Sequence, residues 1–180
     1  ALLEAMQEKQ VTIAWKTFVL PKPFFVMANN NPIESAGVYP LPEAQLDRFL
    51  FKLIMPYPEH EEMCDIMESN VTLKDFASFN IKAVSSPENI LKMQQITKNI
   101  KSTQLIKRYI ADIVNATKKP KDYDISLGNY IEWAASPRAA IGLFIGAKAD
   151  AILKGQNYIT PQNVKNVAHD VMRHRIILNY

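Results

Sequence analysis

Residues 136–155 read SPRAAIGLFIGAKADAILKG. A serine followed by proline is a typical helix start, because the serine side chain caps free amide groups and proline suits the first helical position. Gly155 is a typical helix terminator, because glycine readily adopts the left-handed backbone that ends a helix. The stretch therefore predicts one long helix that ends at about Lys154. Gly142 and Gly146, four residues apart, predict a notch that allows close packing inside a helical bundle.

The rest of the second half of the chain has the same helical character. Ser86 and Thr160 are each followed by proline, which repeats the capped helix start. Apolar residues recur at helical spacing from Leu105 to Val114 and predict an amphipathic helix. Residues 118–128 are polar and predict a loop. We therefore expect a helical bundle in this half.

The first half has short apolar runs between turns. Phe24–Ala28 and Phe51–Met55 are typical of strands, the first of a strand that is buried on both faces. Apolar residues on both sides of Trp15 predict a β-hairpin. Residues 43–49 and 59–68 predict two short helices. The expected fold is part of an α/β layer followed by an all-α bundle.

Composition and charge narrow the class of protein. The chain has 180 residues, of which 48% are hydrophobic and 22% charged, as in ordinary globular proteins. No apolar run reaches the roughly 18–20 residues that a membrane span needs, so we expect no membrane association. The single cysteine, Cys64, excludes an internal disulfide framework and a cysteine zinc cluster, and favours a reducing, cytoplasmic location.

Charge is divided unevenly between the two halves. Residues 1–80 carry 6 Lys and Arg against 11 Asp and Glu, whereas residues 81–180 carry 15 against 7. A basic half attracts phosphates of nucleotides or nucleic acids, but a solvated lysine-rich face explains the same pattern. The lysines are scattered without interleaved aromatic residues, so we expect no nucleic-acid partner.

Three residues are candidates for contact with phosphate. Asn31 ends a predicted buried strand, where α/β proteins bind ligands, although it also suits a simple turn. Arg48 ends a predicted short helix and could grip a phosphate with two hydrogen bonds, or could pair locally with Asp47 or Glu43. Arg138 lies in the first turn of the long helix, where a positive charge opposes the helix dipole; a solvated arginine is the alternative.

Other kinds of site have no support in the sequence. None of the five glycines lies in a GxGxxG or GxxxxGK[ST] pattern, so the chain carries no glycine loop that cradles phosphate. The histidines, His60, His169 and His174, do not have the spacing of metal ligands, and we expect no metal site. No serine or threonine has a recognisable base partner.

Several blocks of the sequence, in order along the whole chain, resemble the MoxR-type AAA+ ATPases. The string YPLPEAQLDRF, residues 39–49, matches that family's string throughout. The other blocks are LLEAMQE (2–8), QVTI (10–13), PFFVMANNNPIE (23–34), ASPRA (135–139) and DVMRHRIIL (170–178). The resemblance implies a partial AAA+ core of the P-loop NTPase type in residues 1–75 and an all-α lid domain in residues 76–180.

The resemblance also implies roles for the three candidates. Asn31 matches the sensor-1 asparagine, which positions the hydrolytic water. Arg48 matches the arginine finger, which reaches a nucleotide held by a neighbouring subunit and implies a homo-oligomeric ring. Arg138 matches sensor 2, the lid arginine that touches nucleotide phosphate. An arginine supplied from a neighbour raises the rate of the best-studied NTPases by roughly 10³–10⁵.

The sequence also departs from the family pattern. The Walker A loop and Walker B acid, which hold ATP and Mg²⁺, would lie before Ala1, so we expect the 180-residue chain to be inactive on its own. The hairpin turn has Trp15 where an Asp-Gly type of turn is usual, and Ala134 stands where glycine is common.

We weigh two alternative functions, of which the resemblance implies the first. In the first, ATP hydrolysis drives chaperone-like remodelling, assembly or cofactor insertion of a client, including a von Willebrand factor A-domain protein. In the second, the chain is a non-catalytic interaction module that binds partners through the hairpin tip at Trp15 and binds no nucleotide on its own.

Overall fold

The computed structural model describes residues 2–30, 41–71 and 79–179. These residues form mainly helices, with two small antiparallel sheets, β1–β2 and β3–β4. In chain order the elements are α1 Leu2–Glu8, β1 Gln10–Ile13, β2 Lys16–Val19, α2 Glu43–Leu46, α3 His60–Val71, α4 Pro87–Asn99, α5 Gln104–Lys118, β3 Ile131–Trp133, α6 Pro137–Leu153, α7 Pro161–Met172 and β4 Ile177–Leu178. In this part of the chain no helix is both long enough and apolar enough to span a membrane.

The predicted helix starts and stops are confirmed. Ser86, Ser136 and Thr160 are the N-caps of α4, α6 and α7, and each side chain accepts a hydrogen bond from a backbone amide of its helix. Thr160 forms a full capping box with Asn163. Gly155 follows α6 with φ +68°, the left-handed conformation that the sequence predicts for it.

The core of the described structure lies between α5, α6 and α7. Leu143 of α6 and Val164 and Val171 of α7 are completely buried. The predicted glycine notch is confirmed, because a Cβ at Gly142 would lie 3.1 Å from Val171 Cγ1 and one at Gly146 would lie 3.3 Å from Val167 Cγ2. The glycines therefore bring α6 and α7 close together.

The predicted hairpin is also confirmed. Strands β1 and β2 pair from Gln10–Val19 to Ile13–Lys16, and Ala14 and Trp15 form the turn with φ values of 47° and 66°. Two positive φ values in a two-residue turn suit the right-handed twist of the strands, which is why asparagine and glycine usually occupy these positions. The Trp15 side chain at the tip is fully exposed.

Two predicted strands are wrong. Phe24–Ala28 and Phe51–Met55 have extended or irregular backbone without strand pairing, and Phe25, Met27 and Met55 are 80–87% exposed. A strand buried on both faces needs a neighbouring strand and a covering layer on each face. In the described part of the chain no strand pairs with either run, and although Phe51 packs on α6, most of their apolar side chains are exposed.

Smaller corrections concern short elements. The helix predicted over residues 43–49 ends at Leu46, and the polar loop predicted over residues 118–128 contains the 3-10 turns Pro120–Tyr123 and Ser126–Tyr130. The pair β3–β4 was not predicted, because its strands have only three and two residues and show no alternation that a pattern could reveal.

Candidate functional site

The carboxylate of Asp47 is the centre of a polar cluster between α2 and the helical bundle. Ser136 Oγ lies 2.9 and 3.1 Å from its two oxygens and donates to it. Arg138 Nη1 lies 3.2 Å from Oδ2, and Arg175 Nε lies 2.9 Å from Oδ1. We call these four residues the Asp47 cluster.

Arg175 is the buried member of the cluster, with 3% of its side chain exposed. Besides the Asp47 carboxylate, its guanidinium binds the backbone oxygens of Asp47 at 3.0 Å, Phe49 at 2.6 Å and Leu50 at 3.2 Å, and also that of Val171. A buried charge is tolerated only when it is paired and hydrogen-bonded, and this one is both. These bonds explain why α2 stops at Leu46, since the carbonyls that follow turn towards Arg175.

Further contacts fasten residues 47–52, which we call the 47–52 segment, to α6 and α7. His174 Nε2 lies 3.0 Å from the oxygen of Phe49, and the Lys52 amide donates to the oxygen of Asp170 at 2.8 Å. Side chains at positions 50 and 51 lie over the α6 glycines, at 3.4 and 3.3 Å from where a Cβ would stand. The segment therefore packs as part of the helical bundle.

The charges within the cluster stabilise one another. Burial by itself raises the pKa of the Asp47 carboxyl, but the hydrogen bonds from Ser136, Arg138 and Arg175 outweigh burial and lower that pKa overall. Burial lowers the pKa of Arg175, which Asp47 partly offsets. Asp47 is consequently a carboxylate at neutral pH, and it is shared between two arginines.

Arg138 lies where the sequence predicts, in the first turn of α6. Its side chain is 47% exposed, and among the described residues its one ion pair is with Asp47. The N-cap Ser136 accepts from the Arg138 amide at 3.2 Å, so the same serine caps the helix and binds Asp47. A half-exposed guanidinium held by one contact is available to a phosphate.

Arg48 follows Asp47 in the chain but does not share its carboxylate. Its Nε and Nη1 atoms are buried, and within the described residues they have no hydrogen-bond partner. The local pair with Asp47 or Glu43, which the sequence left open, is not among the ion pairs of the described residues. Unsatisfied buried donors of this kind are costly, and each one in a native structure needs an explanation.

The remaining predictions divide as follows. Asn31 lies outside the described residues. Of the other two candidates, Arg138 belongs to the Asp47 cluster, whereas Arg48 only follows Asp47 in the chain. Within residues 2–30, 41–71 and 79–179, no group of three or more His, Cys, Asp or Glu residues could hold a metal ion. Sequence reasoning missed Ser136 as a cluster member and missed Arg175. No local signal marks Arg175, because its burial comes from contacts with residues 47–50, far away in the chain.

Comparison with known families gives two matches. Residues 1–51 match the ATPase family associated with various cellular activities (AAA), and residues 128–180 match the AAA lid domain. The chain therefore combines part of an AAA+ core with a lid, which is the class of protein that the sequence resemblance predicted.

Relatives of known sequence and structure define the family more closely. The chain is 41% identical to the chaperone MoxR1 of Mycobacterium tuberculosis, covering 100% of this chain and 47% of the relative. It is 38% identical to the uncharacterized protein YeaC of Bacillus subtilis, covering 99% and 53%, and 25% identical to the protein MoxR of Paracoccus denitrificans, covering 99% and 55%.

A solved structure agrees with these relatives. A crystal structure of a protein from Cytophaga hutchinsonii assigned as an ATPase superposes with a TM-score of 0.89 at 40% identity, covering 99% of this chain and 54% of that one. The chain resembles the MoxR-type AAA+ ATPases along its whole length, and it spans about half the length of the curated relatives it matches.

Proposed function

We propose that this chain supplies the arginine finger and the lid arginine of an ATPase whose hydrolysis of ATP drives chaperone-like remodelling or assembly of a client protein. In this proposal Arg48 reaches the nucleotide of a neighbouring subunit, Arg138 contacts nucleotide within its own subunit, and Asn31 positions the attacking water. The protein acts in the cytoplasm as a homo-oligomeric ring, because a finger supplied from outside needs a neighbour.

The observation that carries the proposal is the state of the Arg48 guanidinium. Its neighbour Asp47 binds Ser136, Arg138 and Arg175, and leaves two buried nitrogens of Arg48 without a partner in the described chain. A planar guanidinium matches the oxygens of a phosphate. A phosphate presented by a neighbouring subunit would satisfy it once the side chain has turned outward, because both nitrogens are buried in this structure.

The two arginines fit ATP as a ligand. Phosphoryl transfer depends mainly on positioning and on stabilising charge, and the nucleotide with its Mg²⁺ supplies the transferred group and part of that charge. Arg48 and Arg138 add positive charge at the phosphates, and Arg138 does so from the first turn of α6, where the helix dipole also favours an anion.

The test is Arg48→Ala in the full-length protein, with Arg108→Ala as the matched control, since Arg108 is exposed on α5. We expect Arg48→Ala to reduce ATP turnover by roughly a thousandfold or more while ATP still binds, and Arg108→Ala to change neither. Turnover and the binding of a fluorescent ATP analogue are measured on the same preparations. Turnover near the wild-type rate in Arg48→Ala would show that Arg48 is not the finger.

A second candidate function is a non-catalytic interaction module, and the exposure of Trp15 favours it. A fully exposed tryptophan at a hairpin tip is a strong anchor for a protein partner, since tryptophan is enriched at binding hot spots. This second function does not require the chain to bind nucleotide. In the leading proposal the same tip contacts the client, for which a von Willebrand factor A-domain protein of the same organism is our candidate.

Binding to such a domain separates the two functions. Trp15→Ala is compared with Trp133→Ala, which removes an exposed tryptophan far along the chain from the hairpin. We expect Trp15→Ala to weaken binding by tenfold or more, on the order expected for a hot-spot residue, and Trp133→Ala to leave it unchanged. Binding that depends on ATP supports the ATPase; binding that is indifferent to ATP supports the module.

A further inference from the structure

We propose that Asp47 is a positioning residue that holds Arg138 through a bond which nucleotide phosphate displaces, while Asp47 itself stays bound to Arg175. This inference rests on the proposed function, in which Arg138 contacts a phosphate. It adds a residue that governs when Arg138 is free and that links its position to the segment carrying Arg48.

The two ion pairs of Asp47 differ in kind. Arg138 makes one contact of 3.2 Å and is 47% exposed, whereas the Arg175 side chain is 3% exposed and also binds four backbone oxygens. Exposed ion pairs contribute little because water screens them, but a buried charge that loses its partner is left uncompensated. Of the two arginines, Arg138 is therefore the one that Asp47 can release.

Release of Arg138 leaves the carboxylate satisfied. Ser136 Oγ and Arg175 Nε remain within 3.1 Å of its oxygens, and both belong to parts of the bundle that are fixed by helix capping and burial. Asp47 thus needs no substitute for Arg138, and the exchange of Arg138 from carboxylate to phosphate changes one contact only.

The Asp47 carboxylate is also connected to the backbone around Arg48, through Arg175. Arg175 binds the carbonyl oxygens on both sides of Arg48, those of Asp47 and Phe49. When Arg138 departs, the carboxylate has only Arg175 as a charged partner, and this pair fixes the backbone that presents Arg48. One carboxylate therefore contacts both the lid arginine and the arginine that fixes the backbone on either side of Arg48.

The test is Asp47→Asn in the full-length protein, because an amide of equal size does not compete for Arg138 as a charge does. We expect a fluorescent ATP analogue with Mg²⁺ to bind about two- to fivefold more tightly, the range of an exposed ion pair, and turnover to fall. General damage to the site would instead lower both the affinity for the ATP analogue and the turnover. Affinity that is unchanged or weaker, or turnover at the wild-type rate, overturns the inference.

Asp170→Asn is the matched control, since Asp170 pairs with Arg173 on a partly exposed face of α7. We expect it to change neither quantity. In an Arg138→Ala background, Asp47→Asn should no longer tighten binding, because the competition needs both partners. A tightening that persists there overturns the inference.

Two further measurements distinguish a failure of the proposed function from a failure of this inference. Unchanged ATP affinity in Arg138→Ala alone would refute the proposed role of Arg138, whereas weaker affinity there with no tightening in Asp47→Asn would refute only the role of Asp47. If Asp47→Asn does not fold, a structure of the wild-type protein with a non-hydrolysable ATP analogue decides. In that structure we expect Arg138 to have left Asp47 while Arg175 remains bound to it. An Arg138 that is still bound to Asp47 would overturn the inference.

Discussion

His174, which binds the 47–52 segment, is a single residue whose protonation should make stability depend on pH. Its side chain is buried and Nε2 bonds to the oxygen of Phe49, while Nδ1 is buried and has no hydrogen-bond partner within the described residues. Burial and the nearby charge of Arg175 lower the pKa of His174, although the bond to Phe49 opposes them. The folded protein therefore keeps this imidazole neutral below the pH at which a free histidine takes up a proton.

We accordingly predict that stability falls as the pH is lowered. A histidine with a lowered folded pKa binds its proton more readily in the unfolded chain, so stability is lost as the pH falls through about 6.5 towards the folded value. Urea denaturation between pH 7.5 and 5 should show this loss. His174→Gln should flatten the profile, whereas His60→Gln, an exposed change on α3, should leave it in place. Equal slopes for wild type and His174→Gln would contradict the prediction.

Among the elements, α6 ends in the manner that its sequence predicts, and this can be tested cleanly. Gly155 has φ +68°, and an added Cβ would meet no atom within 4 Å. Gly155→Ala therefore adds backbone strain but brings the new methyl group into contact with no other atom. We predict a loss of about 1 kcal/mol of unfolding free energy, the usual cost of the left-handed conformation for a residue with a Cβ. Gly155→Asn should lose less, because asparagine tolerates this conformation; equal losses would contradict the explanation.

At the scale of the whole molecule, Arg175 joins the first half of the chain to the helical bundle. Arg175→Met removes the charge that binds Asp47 and four carbonyl oxygens, so we predict a loss of about 3 kcal/mol, as for other broken buried pairs. Trypsin should then cut faster after Arg48 and Lys52, because the 47–52 segment is no longer held. Arg173→Met is the control, since Arg173 has an ion pair with Asp170 nearer the surface. Equal effects of the two variants would contradict this role.

The helices could be predicted from the sequence because their signals are local. Ser86, Ser136 and Thr160 each precede proline, and Gly155 follows the last apolar turn of α6. The positions of Arg48 and Arg138 followed from a continuous match to known strings. These features depend on neighbours a few residues away, which a single sequence displays.

The Asp47 cluster could not be predicted, because its other members lie 89, 91 and 128 positions from Asp47 in the chain. Nothing local distinguishes Arg175 from a surface arginine until α7 packs beside the 47–52 segment. The same limit produced the errors at Phe24–Ala28 and Phe51–Met55. An apolar run predicts burial only when the neighbours that would bury it are present, and those neighbours are not a property of the run.

The exposed run that follows Arg48 has a practical consequence for handling the chain. Residues 49–55 read FLFKLIM, a seven-residue stretch with strong β-propensity, one charge and no proline, and Leu53, Ile54 and Met55 are 65–87% exposed. Such a stretch is the signature of segments that stack into amyloid-like fibrils. Lys52 opposes this stacking, because the positive charges of the Lys52 side chains on stacked copies would lie close together and repel one another. In concentrated solution at high salt, where that repulsion is screened, the chain should form thioflavin-positive aggregates sooner than at low salt.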